Sequence, residues 1–295
     1  MDFLTRLHSG PALIADGAMG TMLQTAGLPP GRPGEAWVLE RPEAVVAVHQ
    51  AYIEAGADLI LSCTFGGTRP RLEHAGLAER VAEINRRAVE VAREAAAGRA
   101  YIAGDIGPLG ELLAPLGQRT YEEAVEIFAE QAAGLAAGRP DVLYIETMSS
   151  LDEARAAVEG ARRADPDLPL TATLSFDTKG RTNMGVRPAQ AAQALVELGV
   201  VACGANCGAS LEMTEQALRE MHEALPQAVL IAKPNAGIPR MVSGQVVYDA
   251  TPEIMADYGR RFVALGARIV GGCCGSTPAH IQAIAQTLRG RQDTV

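Results

Sequence analysis

The chain has 295 residues, 48% of them hydrophobic and 21% charged, enough to bury a sizeable core without disulfides or other staples. Its net charge of −9 and the lack of a long basic run argue against nucleic acid or an anionic membrane surface as partners. The N-terminal MDFLTRLHSGPALIADG has neither a cationic start nor an unbroken apolar stretch, and no later run nears the about 20 residues of a membrane span, so a cytoplasmic protein is expected.

Short β-branched runs alternate with longer amphipathic patterns along the whole chain, the signature of parallel strand–helix units. The first strand is ALIADG (12–17). A Pro- and Gly-rich connection of about 24 residues follows, unusually long for a compact domain, with Trp37 as its anchor. The helix PEAVVAVHQAYIEAGA (42–57) then leads to the strand DLILSCTF (58–65), and the helix LAERVAEINRRAVEVAREAA (77–96) to the strand YIAGDIG (101–107). DVLYIETM (141–148) is the fourth strand, with the helix SLDEARAAVEGARRA (150–164) after it. The second half supplies PLTATLSFD (169–177), VVACGANCG (200–208), AVLIAKPNAG (228–237) and RIVGGCCG (268–275). Eight such units in one chain of this length predict a single α/β domain over 1–295, a closed (β/α)8 TIM barrel. An open doubly wound sheet is the alternative, but DGAMGTM lacks the GxGxxG spacing of its phosphate loop.

On such a barrel the C-terminal ends of the strands carry the active site. Those ends hold Asp16, Cys63, Asp105, Glu146, Asp177, Asn206 with Cys207, Asn235, and the pair Cys273 and Cys274. Strands six and eight both flank strand seven, so Cys207 can reach the Cys273–Cys274 pair. Adjacent strand residues point to opposite faces, so two neighbouring cysteines share one ion only where the backbone leaves strand geometry, which Gly271, Gly272 and Gly275 allow. Three thiolates suit one Zn2+ with a fourth position left for water or substrate. A strained vicinal disulfide is the competing reading. Cys63 and Cys203 read as buried hydrophobes, Cys203 on the same strand face as Cys207 and one layer deeper. Asp16 is either a turn former or a ligand group, and Glu146 either a solvated rim residue or a functional one. Together they suit an ammonium, and the backbone N–H groups of GAMG suit a carboxylate, which describes an amino acid.

The motifs IADGAMGTMLQ (14–24), YIEAGADLILSCTF (52–65), YIETM (144–148), GANCG (204–208), KPNAG (233–237) and GGCCGSTPAHI (271–281) resemble the zinc-dependent homocysteine S-methyltransferases. The wording is nearest to the homocysteine domain of cobalamin-dependent methionine synthase and related bacterial barrels. The resemblance implies one Zn2+ on Cys207, Cys273 and Cys274, with the sulfur of L-homocysteine as fourth ligand and L-methionine as product. It implies that Asp16, Gly17 and Glu146 hold the amino-acid end, and that Asn235 is a candidate fourth metal ligand without substrate. The methyl donor stays open among S-methylmethionine, betaine and methylcobalamin. The chain ends at RQDTV with no second barrel for a folate and no Asp-x-His-x-x-Gly segment for a corrinoid. Either such domains belong to a longer protein that this module serves, or the donor is a small sulfonium or ammonium compound. A non-enzymatic zinc-stabilised scaffold is the alternative of another class.

Overall fold

The computed structural model describes residues 1–177, 179–242 and 245–290, with backbone alone at 242, 245 and 246; the terminal RQDTV lies outside the described residues. The strands are β1 (Leu13–Ile14), β2 (Leu59–Leu61), β3 (Tyr101–Ile106), β4 (Val142–Met148), β5 (Leu170–Leu174), β6 (Ala202–Cys207), β7 (Leu230–Pro234), the pair β8 (Pro239–Val242) and β9 (Gln245–Tyr248), and β10 (Ala267–Val270). Eight of them form one parallel sheet in the order β1-β10-β7-β6-β5-β4-β3-β2. The seam between β1 and β2 is joined by a parallel bridge from Ala15 to Leu59, where Asp58 N–H donates to the Ile14 carbonyl at 2.7 Å and Asp16 N–H to the Leu59 carbonyl at 3.0 Å. The sheet thus closes as the predicted (β/α)8 barrel.

In-and-out alternation along the strands builds two apolar layers. Leu13, Leu59, Leu61, Ala103, Tyr144, Ile231 and Ile269 fill the barrel interior, while Ile14, Ile60, Ile102, Ile145, Cys203 and Val270 pack with the helices outside. The helix Val81–Ala96 shows how the outer ring is held: Ile84, Ala88, Val91, Ala92 and Ala95 lie on its buried side at spacings of three and four residues. An N-terminal helix, Phe3–His8, turns Phe3 and Leu7 into the interior cluster and stacks Phe3 edge-on against Tyr101 at the start of β3. It plugs the N-terminal mouth, so the opposite mouth is left to bind ligands.

Three features differ from the sequence reading. The first two strands are much shorter than their apolar runs, although Ala15 N–H still donates to the Val270 carbonyl and Ser62 N–H to the Ala103 carbonyl, each at 2.8 Å. The connection after β1 contains two short helices, Met19–Thr25 and Gly34–Glu40. Trp37 does anchor it: the ring is 4% exposed and the Arg41 guanidinium lies 4.5 Å over it. The antiparallel β8–β9 pair occupies the connection after β7, a stretch with no strand assigned from sequence. No helix among the described residues is long and apolar enough to cross a membrane.

Candidate active site

The C-terminal mouth encloses a cavity of about 390 Å³, lined by the ends of β1 to β4, β6, β7 and β10 and by the two short helices after β1. On its wall the Sγ atoms of Cys207, Cys273 and Cys274 lie within 4.8 Å of one another. Cys207 is 3.3 Å from Cys273 and 3.8 Å from Cys274. Four ligands in a tetrahedron with Zn–S bonds of about 2.3 Å place sulfurs about 3.8 Å apart, so the trio has the spacing and softness of a zinc–thiolate site. Hydrogen bonds from Cys207 and Cys273 pull the Cys274 thiol well below its ordinary value, and the same sharing pushes Cys207 up.

Local backbone geometry explains how the cysteines converge. Cys203 and Ala205 face the helices, so strict alternation would turn Cys207 outward as well. Its φ of 55° breaks the alternation, at a cost of about 1–3 kcal/mol for a residue with a Cβ. Cys203 therefore does not share a face with Cys207, contrary to the sequence expectation. Cys273 and Cys274 lie beyond the end of β10, in a turn held by Cys273 N–H on the Pro234 carbonyl at 2.7 Å. Of the glycines around them only Gly275 has a positive φ, 77°. Gly271 and Gly272 are needed for close approach instead: a Cβ would lie 2.8 Å from the Ala15 Cβ or 2.4 Å from the Ser276 Oγ.

Asn235 clips the two cysteine turns together. Its Oδ1 accepts from Cys274 N–H at 3.1 Å and its Nδ2 donates to the Gly208 carbonyl at 3.0 Å. The side chain is thus engaged at both ends in backbone bonds. Asn206, one residue before Cys207, plays a similar part toward β4. Its Oδ1 accepts from Thr147 N–H at 2.8 Å and from Thr173 Oγ1 at 2.7 Å, and its Nδ2 donates to Thr147 Oγ1 at 2.6 Å. Thr147 also has a left-handed backbone, φ 63°, so two strained non-glycine residues meet across this one asparagine.

The same cavity is lined by Asp16, Asp105, Glu146 and Lys233, all buried. Asp16 Oδ1 accepts from Lys233 Nζ at 2.8 Å and its Oδ2 from Leu61 N–H at 2.8 Å, which leaves each oxygen one further lone pair. Burial opposes the Lys233 charge, yet Asp16 and Glu146 outweigh it and push the ammonium pKa up. Burial and then the Cys273 sulfur raise the Glu146 carboxyl to about 8. Gly17 has no room for a side chain: a Cβ would sit 2.6 Å from the Ser276 Oγ and 2.8 Å from the Tyr52 ring. The first turn of the helix Met19–Thr25, uncapped by any side chain, also borders the cavity. Cys63 lines the wall but is buried away from the trio. Asp177 is not among the lining residues.

The mouth therefore brings together Asp16, Gly17, Glu146 and the three cysteines. Sequence reasoning gave no role to Lys233, although its signal was present. In β7 the inward residue Ile231 is followed two places on by a lysine, which parity points into the mouth.

Comparison with known proteins agrees with this geometry. Residues 13–288 match the family described as homocysteine S-methyltransferase. The chain is 33% identical to methionine synthase of Mycobacterium tuberculosis over 94% of its own length, but spans only 24% of that protein. Methionine synthase of Mycobacterium leprae is 32% identical with the same coverage. The crystal structure of the homocysteine methyltransferase MmuM from Escherichia coli in its oxidised form superposes with a TM-score of 0.79 at 28% identity, covering 94% of this chain and 96% of that one. Its metallated form gives 0.78, with 95% and 98% covered.

Proposed function

From the premise that the chain belongs to the homocysteine S-methyltransferase family, we propose that it methylates the sulfur of L-homocysteine, giving L-methionine, at a Zn2+ held by Cys207, Cys273 and Cys274. The observation that carries the reading is the trio of sulfurs at zinc spacing, lining a cavity whose walls also bear Glu146 and an uncapped helix start. A free alkyl thiol, with a pKa near 8.5, is mostly protonated at neutral pH, whereas one bound to Zn2+ is deprotonated and stays nucleophilic. The chain's own residues supply orientation. Glu146 accepts from the substrate's ammonium group, and the free N–H groups that open the helix Met19–Thr25 receive its carboxylate. Asp16 acts through Lys233, fixing that cation on the cavity wall, and Gly17 lets the strand end pass against Tyr52. Asn206 and Asn235 keep the cysteine-bearing turns in register, so the sulfurs are placed before ligand arrives.

For the methyl donor, the carboxyl-rich lining favours a small cation. Four carboxyls, Asp16, Glu35, Asp105 and Glu146, stand against the single ammonium of Lys233, and those that burial holds protonated can balance a bound sulfonium or quaternary ammonium compound by releasing a proton. A second reading rests on the similarity to methionine synthases about four times as long: a homocysteine module that receives its methyl group from methylcobalamin on another domain. Zinc stoichiometry and a donor screen test both. Wild type should bind one zinc and turn over S-methylmethionine or betaine, and Cys273→Ser should lose the metal. Turnover only with methylcobalamin would select the second reading, and full homocysteine affinity in the zinc-free variant would sink both.

A further inference from the structure

A second cavity, of about 330 Å³, lies beside the first and shares two of its lining residues, Glu35 and Phe65. We propose that this side chamber is an anion subsite in which Arg71 receives the carboxylate of a zwitterionic methyl donor, whose onium group lies in the carboxyl-rich first cavity; this rests on the small-cation reading of the donor above.

Arg71 stands in the chamber as a fixed but uncommitted cation. Its Nε donates to the Pro108 carbonyl at 2.8 Å, and its guanidinium lies 5.6 Å from the centre of the Phe65 ring, so the plane of the fork is set. The two terminal nitrogens make no hydrogen bond or ion pair among the described residues. Arg69, two residues earlier, shows the contrast: Glu79 and Glu130 hold its guanidinium at 2.8 and 2.6 Å. An open, oriented guanidinium fork suits a carboxylate, which it binds through two charge-assisted hydrogen bonds. Gly110 keeps room beside it. Its φ of 82° favours glycine, and a Cβ there would crowd the guanidinium carbon at 3.3 Å.

The acids of the chamber wall do not cancel this charge. Glu111 is taken by Arg119 at 2.7 Å. Glu35 is buried and accepts from Gly66 N–H, and burial raises its carboxyl above the ordinary range. The chamber thus presents a free cation, whereas four carboxyls line the first cavity. The two meet at Gly66, where the place of a missing Cβ lies 3.1 Å from Glu35 Oε1 and 3.4 Å from Arg71 Cδ. Opposite preferences side by side match a small molecule with a carboxylate at one end and a sulfonium or quaternary ammonium at the other. The carboxylate of homocysteine has its own receiving groups in the first cavity, at the start of the helix Met19–Thr25.

The test titrates betaine and S-methylmethionine, each beside its methyl ester, which lacks only the negative charge, into zinc-loaded wild type, Arg71→Lys and Arg71→Gln. Zinc content and thermal midpoint establish that each protein is folded, and L-homocysteine is the control ligand. At least one zwitterion should bind wild type about 10- to 100-fold more tightly than its ester. Arg71→Gln should erase that preference while leaving the ester and homocysteine within about twofold, and Arg71→Lys, which keeps the charge but not the fork, should fall between. Equal weakening of zwitterion and ester, weakening of homocysteine instead, or wild type that binds neither zwitterion would overturn the subsite. Methyl transfer from an onium donor that ignores Arg71 would also overturn it while keeping the donor reading. Binding that depends on the carboxylate and on Arg71, without transfer to homocysteine, would support the subsite and refute the donor reading.

Discussion

Replacing Glu146 with glutamine should make the substrate-free protein more stable at neutral pH while abolishing tight homocysteine binding. The carboxyl is 7% exposed, and burial with the nearby Cys273 sulfur raises it from an ordinary 4.5 to about 8. Between those values the folded chain binds a proton that the unfolded chain has released, so stability falls as pH rises across that window and is unaffected by this group below it. The full gap corresponds to at most about 5 kcal/mol, and at pH 7 to about 3 kcal/mol. Glutamine keeps the acceptor that Asn206 Nδ2 reaches at 3.4 Å and removes the titration. Thermal midpoints of wild type and Glu146→Gln should agree at pH 4.5. By pH 7 the variant should melt higher by roughly 6 °C, using about 2 °C per kcal/mol for a chain of this size. Parallel midpoints across pH 4.5–8.5 would refute the claim that this carboxyl is held at the site against its solvation preference. Loss of zinc in the variant would refute the separation of ammonium binding from metal binding.

Three further outcomes follow from the same geometry. Lys233→Met should destabilise the fold by about 3–5 kcal/mol in denaturant titrations at pH 7, because it strands Asp16, whose side chain is 3% exposed; a loss under 1 kcal/mol would mean the pair is not buried as described. Asn235→Ala removes both bonds that tie Cys274 to Gly208 and should lower zinc affinity about 10- to 100-fold in competition with a chelator, without unfolding the barrel. Homocysteine should protect residues 18–41 from limited proteolysis, since that segment forms one wall of the cavity through Met19, Gly20 and Glu35. Cleavage at the same rate with and without ligand would show that the wall does not close on it.

What the sequence reveals here follows the range of the interactions involved. The barrel is legible because alternation within each strand and periodicity within each helix are local properties, repeated eight times over in one parallel sheet. The cysteine trio is legible because a closed barrel brings strand ends to one mouth, so topology alone carries Cys207 to Cys273 across 66 residues. Side-chain pairing at that mouth is a different matter. Asp16 and Lys233 are 217 residues apart, and nothing local to either shows that one cancels the other. A list of strand-end acids therefore omits that Asp16 is paired with a buried lysine two strands away in the sheet. The left-handed backbone at Cys207 is equally hidden, because no glycine marks it and only the convergence of three sulfurs on one point gives the strain a reason. Parity recovers part of what was missed. Counting inward positions from Ala103 and Ile231 places Asp105 and Lys233 in the mouth, and charge balance then shows which acid the lysine neutralises.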